Sequence, residues 1–155
     1  MADSGFEYTA SQDAQAVSTA VDLFFMTVGA EVPIKILWLE LGQTTDLGDA
    51  AEEVLRIGVY RGVTGGGSGA ALTEVGVHDR APTAATAVVG QGTASTGGNL
   101  IHTIEWNIRQ AGPIWVPTPD LQPRISAAND PIAFRLLAAP TDSITLGGTV
   151  AWREL

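Results

Sequence analysis

Short apolar segments, separated by glycine, proline, threonine and aspartate, recur along the whole chain. Residues 34–41 and 100–109 are the clearest, and residues 55–60 alternate between apolar side chains and other types. A period of two over such short segments is typical of β-strands. We count about eight to ten segments of this kind at roughly even spacing, with no long helical pattern. The pattern predicts an all-β fold, namely an antiparallel β-sandwich of jelly-roll type.

The first 19 residues are mostly small and polar, with Phe6 and Tyr8 as their large aromatic side chains. We interpret residues 1–19 as an extended N-terminal arm or an edge strand, and residues 12–17 alternatively fit one helical turn. Residues 20–155 are predicted to form a single β-sandwich domain. A chain of 155 residues has the length of one domain, and it can bury about two-thirds of its unfolded surface.

Charge and composition exclude several classes of partner. Seventeen acidic and eight basic residues give a net charge of −9, which repels phosphate backbones, so we expect no nucleic-acid partner. The apolar runs are far shorter than the roughly 20 residues that span a bilayer, and we expect no membrane partner. The acidic N-terminus is unlike a signal peptide, which favours a cytoplasmic origin. Cysteine is absent, so no disulfide or thiolate metal site can form.

Residues that could carry chemistry are few. The glycine loop at 62–69 lacks the lysine of a phosphate-binding loop, and Ser68 lacks the strand-turn-helix setting of a nucleophile elbow. His102 and Glu105 are three residues apart in a predicted strand, so alternation sends them to opposite faces and disfavours a cupin-like metal site. We interpret His102 as a half-buried strand residue. The sequence predicts no catalytic residue, no cofactor site and no enzyme.

Four carboxylates gather in the polar connection before residue 54, at Asp46, Asp49, Glu52 and Glu53. Several oxygen ligands on a flexible loop suit a hard cation such as calcium, but the spacing is not that of an EF-hand. A solvated loop is the favoured interpretation, and the cation site stays open as an alternative.

The four tryptophans divide into two groups. Trp38, Trp106 and Trp152 stand among aliphatic residues of predicted strands, which favours packing in the core. Trp115 lies between Pro113 and Pro117 in a short edge-like segment and is the best candidate for a surface contact. Together with Phe6 and Tyr8, Trp115 is predicted to contact a partner outside the core of the subunit.

An ordered series of segments resembles a family of small virion-associated proteins of tailed bacteriophages. The segments are GQTTDLGDA at 42–50, Arg61-Gly62 before the glycine loop, WNIRQAG at 106–112, WVPTP at 115–119 and AAPTDSITLGGT at 138–149. The chain looks most like capsid decoration (cement) proteins, and the resemblance runs from about residue 20 to the end. None of these segments carries chemistry, so no active site follows from the resemblance.

The resemblance implies a non-catalytic protein on the outside of a virion, assembled in the host cytoplasm. Its expected partners are the major capsid protein and further copies of itself, most simply as a homotrimer that stabilises the shell. A tail- or fibre-associated virion component is the alternative within the same family. A carbohydrate-binding β-sandwich module is the alternative from another class, and it requires an exposed tryptophan in a groove.

Overall fold

The structure contains β-strands where the sequence predicts them, and buried and exposed side chains alternate along several of these strands. The computed structural model describes residues 5–28, 32–44, 53–66, 71–78, 87–126 and 129–155. Within these ranges the chain forms eleven β-strands and one short 3-10 turn at Pro119–Leu121, with no α-helix. None of the described residues forms a helix that is long and apolar enough to cross a membrane. The predicted all-β class is confirmed.

The strands in chain order are β1 (Glu7–Val17), β2 (Val21–Val28), β3 (Ile34–Gln43), β4 (Val54–Arg61), β5 (Glu74–Gly76), β6 (Ala87–Thr93), β7 (Asn99–Asn107), β8 (Ile114–Trp115), β9 (Arg124–Ile125), β10 (Ile132–Leu136) and β11 (Ile144–Glu154). They form two sheets. The first has the order β5-β1-β11-β3-β8, with β9 also paired to β3, and the second has the order β6-β2-β10-β4-β7. All pairings are antiparallel.

The pairings are nested along the chain. β1 pairs with β11, β2 with β10, β3 with β8 and β4 with β7. The chain therefore doubles back on itself, and strands that follow one another mostly belong to opposite sheets. This arrangement places β7 and β8 at the same edge of the sandwich and leaves β5 at the opposite edge of the first sheet.

The core lies between the two sheets and is built from the inward side chains of both. Each sheet contributes one aromatic pair from neighbouring strands: Phe24 meets Phe134 edge-on at 6.5 Å between ring centroids in the second sheet, and Tyr8 stacks on Trp152 at 5.8 Å in the first. Burying a large apolar side chain stabilises a fold by roughly 1.5–3 kcal/mol. The fully buried residues with the largest side chains come from both sheets, and they are Trp152, Tyr8, Phe24, Phe134, Leu23, Met26, Ile34, Ile36, Leu39, Leu41, Ile57 and Ile125.

The N-terminal segment, from residue 5 onward, contains β1, which is an inner strand of the first sheet. This corrects the prediction that residues 1–19 form an extended arm. β1 pairs with β11 from Glu7 to Val17 and with β5 on its other side. The predicted helical turn at 12–17 is wrong, since these residues lie in β1, which has a register shift between Gln12 and Gln15. The physical reason is burial, because Tyr8 and Val17 fill the core between the sheets.

Candidate interaction surface

Trp115 connects the two sheets at the edge formed by β7 and β8. Its pairing with Leu39 turns its side chain toward the interior of the sandwich. There its ring stacks on His102 of β7 at 5.4 Å and 21°, and it meets Phe134 edge-on at 5.8 Å. The ring is half-buried. Trp115 is therefore both part of the packing and part of the surface.

A groove of about 290 Å³ opens beside this aromatic stack. Proline cannot donate a backbone hydrogen bond to a sheet, so β8 ends before Pro117. The chain then leaves the first sheet and enters the 3-10 turn at Pro119–Leu121. We call this concavity the Trp115 groove, and it is lined by Ile101, His102, Trp115, Pro117, Leu121 and Pro123. An apolar groove with one imidazole at its wall suits an apolar side chain of a partner.

A second cleft of about 490 Å³ continues from the Trp115 groove and shares Ile101, Leu121 and Pro123 with it. Its wall adds Arg61, Arg124 and Asp120. Arg61 donates through Nε to Asp130 at 2.7 Å, and these hydrogen bonds raise the pKa of Arg61. Arg124 is exposed. This second cleft therefore has an apolar floor, and its wall carries charges of both signs, from Arg61, Arg124 and Asp120.

Exposed apolar side chains surround the groove. Leu121 is 74% exposed, and Ile114 and Val116 are about as exposed at 67% and 65%. We call the set Leu100, Ile101, Ile114, Val116 and Leu121 the β7–β8 patch. Exposed apolar side chains that gather at one edge mark interaction sites more often than scattered ones do. This patch is the strongest candidate for an interaction surface among the described residues.

A smaller apolar patch lies on the opposite side of the sandwich. We call the exposed residues Phe6, Val75 and Val77 near this edge the β5 patch, and each of these side chains is 43–57% exposed. Val75 lies opposite Thr9 on the outer face of the sheet, whereas alternation along the strand gives Phe6 the direction of Tyr8. The backbone of Val77 donates to the carbonyl of Glu7, which holds the end of β5 against β1. Glu7 pairs with Arg153 and lies 3.8 Å from His78 Nε2. The β5 patch is therefore flanked by a charged cluster.

The predicted contact residues have different positions in the structure. Phe6 is exposed in the β5 patch and Trp115 borders the Trp115 groove, so both lie where a partner can reach them. Tyr8 does not, because it is 1% exposed and stacks on Trp152. Burial and the nearby Glu154 carboxylate raise the pKa of Tyr8. We therefore correct the prediction for Tyr8, which belongs to the core of its own subunit.

The other tryptophans follow the prediction in part. Trp152 and Trp106 are buried, and the Trp106 indole N–H donates to the carbonyl of Gln110 at 3.2 Å. Trp38 is only half-buried, opposite Ala151 in the first sheet. The core prediction is thus confirmed for two of the three residues.

A buried polar cluster on the second sheet was not predicted from the sequence. Asp22 is fully buried and accepts hydrogen bonds from the backbone N–H and the hydroxyl of Ser95 at 2.9 and 3.1 Å. Arg135 lies 3.5 Å from Asp22, donates to Ser95 Oγ at 2.6 Å and stacks over Tyr60 at 4.3 Å. Burial raises the pKa of Asp22, and the bonds from Ser95 and the charge of Arg135 oppose that shift. The cluster fastens the loop around Ser95 to the sheet.

Close packing explains why residue 66 of the glycine loop is a glycine. A Cβ atom there would lie 2.4 Å from the Asp22 carboxylate and 2.5 Å from the ring of Phe25. Only glycine lets the backbone approach the buried cluster this closely. The loop is therefore part of the packing over the second sheet up to residue 66, and Ser68 lies outside the described residues.

The acidic connection is described only at Glu53. Its carboxylate accepts hydrogen bonds from the backbone N–H of Thr141 at 3.0 Å and from the Thr141 hydroxyl at 3.3 Å. Asp46, Asp49 and Glu52 lie outside the described residues. Among the residues that are described, no group of three or more His, Cys, Asp or Glu residues is placed to hold a metal ion.

The two histidines lie at opposite edges of the sandwich. His102 stacks on Trp115 beside β8, whereas His78 lies next to Glu7 beside β5. Glu105 forms an ion pair with Arg56 at 3.2 Å, away from the imidazole of His102. The described geometry therefore brings no histidine pair and no histidine–carboxylate pair together at the Trp115 groove.

Comparisons with protein-family models, with curated proteins and with solved structures find no match to this chain.

Proposed function

We propose that this chain is a non-catalytic structural protein of a phage virion, a head decoration (cement) protein. It binds the outside of the capsid shell as a homo-oligomer, and its partners are the major capsid protein and other copies of itself. The observation that carries the proposal is the β7–β8 patch, because several exposed apolar side chains at one edge of a domain are typical of a protein that functions in an assembly. The sequence resemblance supplies the type of assembly.

We also propose that the sandwich is a jelly roll. Support comes from the nested pairings of β1 with β11, β2 with β10, β3 with β8 and β4 with β7. Eight strands paired in this order form one long antiparallel ribbon that folds over into two sheets. Jelly rolls recur in viral capsid domains, which suits the proposed role.

The Trp115 groove favours binding of a protein over binding of a sugar. Stacking on a sugar requires an open ring face, but His102 stacks on Trp115, Phe134 packs against the same ring at 5.8 Å, and the side chain is half-buried. The remaining walls are aliphatic or proline side chains, apart from the imidazole. We therefore keep the carbohydrate-binding module as an alternative without structural support at this groove. A tail or fibre component would use the same kind of surface.

The test of the function is co-sedimentation with assembled particles. Shells are assembled from the major capsid protein of the phage or prophage whose genome carries this gene, and purified tails from the same phage are the comparison. We expect saturable binding to shells, together with a higher temperature of shell disruption, because many small contacts repeat over the particle. Binding to tails alone would support the tail alternative, and binding to neither particle would contradict a virion role.

A further inference from the structure

We infer that the outer face of the first sheet binds a neutral oligosaccharide, in a polar hollow between β1, β11 and β3 beside Trp38. The hollow has a volume of about 530 Å³, which is in the range of small-molecule sites. We call it the glycine hollow, and its polar lining includes Ser11, Asp13, Glu40, Thr44 and Thr149. It shares no lining residue with the Trp115 groove. The inference goes beyond the proposed virion role and does not depend on it.

The strand register identifies the side chains on this outer face. Leu39 and Leu41 of β3 are buried in the core, so alternation directs Trp38 and Glu40 to the outer face. Two rows of outward side chains then cross β1, β11 and β3, and they are Thr9, Ala151 and Trp38 followed by Ser11, Thr149 and Glu40. Trp38 is thus a large aromatic side chain beside small and polar ones. Its position outside the core cluster requires another explanation than core packing.

Two paired glycines, Gly147 and Gly42, line the glycine hollow next to the second row. A Cβ atom at Gly147 would lie 2.7 Å from the carbonyl oxygen of Asp13, so packing requires a glycine there. A Cβ atom at Gly42 would meet nothing within 4 Å, and Gly42 is not among the described glycines with a positive φ. A glycine inside a strand often marks a place where a ligand approaches the backbone. Gly42 fits that role, because the space above it is open.

Gln12 adds a buried polar group to the glycine hollow. It belongs to the lining of the hollow and is only 4% exposed. Among the described residues, neither its carboxamide nitrogen nor its carboxamide oxygen has a hydrogen-bond partner. A buried polar group without a partner costs free energy. A hydroxyl group both donates and accepts hydrogen bonds, so a ligand rich in hydroxyls supplies partners for both atoms.

The chemistry of the face favours a neutral sugar. The carboxylates of Asp13 and Glu40 disfavour phosphates and other anions. These carboxylates accept hydrogen bonds from sugar hydroxyls, and the hydroxyls of Ser11 and Thr149, which lie 2.9 Å apart, add donors and acceptors. The indole of Trp38 offers a surface on which the C–H face of a sugar stacks. An apolar protein surface would instead bury these polar groups without partners.

A titration followed by nuclear magnetic resonance tests both the ligand and its location. The probes are neutral tri- to hexasaccharides of glucose, galactose, mannose and N-acetylglucosamine, each added to the full chain up to millimolar concentration. We expect saturable binding of at least one probe, with shifts of the backbone amides at 11–13, 40–44 and 147–149 and of the Trp38 indole N–H. Shifts confined to the surroundings of Trp115 would overturn the inference. Absence of saturable binding by every probe would also overturn it.

Two variants test the two parts of the site. Trp38→Ala removes the stacking surface and is expected to weaken sugar binding by about tenfold or more. Gly42→Thr places a β-branched side chain in the open space of the glycine hollow and should weaken binding by a similar factor. Its urea midpoint should stay unchanged, because a Cβ there meets nothing within 4 Å. An unchanged sugar affinity of folded Gly42→Thr would overturn the inference, whether or not Trp38→Ala folds.

Val54→Thr is the matched control, since it places the same residue at a strand position that is 56% exposed on the second sheet. It should keep the sugar affinity of the unmodified chain. A loss equal to that of Gly42→Thr would show that the effect is not specific to the hollow and would contradict the inference. Shell binding is measured separately on Gly42→Thr and should be unchanged, so a failure of the sugar site and a failure of the proposed function are distinguishable.

Discussion

At the residue scale, the buried Asp22 cluster is the feature with the clearest consequences. A carboxylate without solvent contact is stable only when hydrogen bonds or an opposite charge compensate its burial. Ser95 and Arg135 provide that compensation from two other parts of the chain. Removing any one member leaves the others buried without their partners. Mutations in the cluster should therefore change stability more than mutations of surface charges.

The pKa of Asp22 predicts a specific dependence of stability on pH. Burial raises this pKa in the folded state above its value in the unfolded chain. The folded protein then binds more protons than the unfolded chain between the two pKa values, so the Asp22 contribution to stability falls as pH rises through that window. Asp22→Asn removes this titration. Measured by urea denaturation, its stability relative to the unmodified chain is expected to rise from acid pH through the window and then level off.

The control for this pH series is Asp120→Asn, because Asp120 is exposed at the 3-10 turn. Its stability relative to the unmodified chain should show no comparable rise. A constant difference between Asp22→Asn and the unmodified chain across acid pH would mean that Asp22 does not titrate differently on folding.

Gly66 provides a second prediction at this scale. Alanine at this position would bring a methyl group within 2.6 Å of the Asp22 carboxylate, the Phe25 ring and Ser95 Cβ. Overpacking of this kind costs roughly 1–3 kcal/mol, so we expect Gly66→Ala to lower the free energy of unfolding by that amount. Gly42→Ala is the control, because a Cβ there meets nothing within 4 Å. Equal urea midpoints for the two variants would contradict the packing described.

At the element scale, the position of β1 decides how the domain is held together. β1 contacts β11 along its whole length, and the two strands share hydrogen bonds and a core stack between Tyr8 and Trp152. The solvent-facing side chains of β1 and β11 contribute less to the stability of this pair, with a hydrogen bond of 2.9 Å between the hydroxyls of Ser11 and Thr149. A strand in this position stabilises the first sheet from within.

Deletion of residues 1–19 tests the position of β1. We expect the shortened chain to lose cooperative unfolding, because it exposes one side of β11 and removes Tyr8 and Val17 from the core. The measurement is urea denaturation followed by near-ultraviolet circular dichroism. Ser11→Ala is the mild control and should cost no more than about 1 kcal/mol, the typical contribution of one hydrogen bond. A shortened chain with an unchanged midpoint would restore the arm interpretation.

At the scale of the whole molecule, stability and assembly are coupled. Association of folded copies stabilises the folded state by mass action, so the Tm of an oligomer rises with protein concentration. We expect this rise for the unmodified chain, since the proposed function includes self-association, and a smaller rise for Leu121→Asp, which places a charge among the exposed apolar side chains of the β7–β8 patch. Differential scanning calorimetry over a hundredfold range of concentration measures it. A Tm that is independent of concentration for both proteins would indicate that folding does not depend on self-association.

The candidate surface was only partly predictable from the sequence. The prolines that flank Trp115 identified it as an edge residue, and Phe6 was recognised as an exposed aromatic. Tyr8 has the same local appearance as Phe6, yet it is buried, because its side chain faces the core between the sheets and stacks on Trp152. The partners of Trp115 at the groove, His102 and Leu121, belong to separate segments with no local signal that joins them.

The sequence by itself determined the strands, because the alternation of apolar and polar side chains is a local property that each segment carries. It placed the strands at 34–41, 55–60 and 100–109 within about two residues of β3, β4 and β7. Tertiary structure alone decided the pairing of β1 with β11 and the assembly of the Asp22 cluster, whose members are 40 and 73 residues apart along the chain. Pairings at such separation depend on which surfaces meet when the two sheets close over one core, and no short segment encodes that outcome.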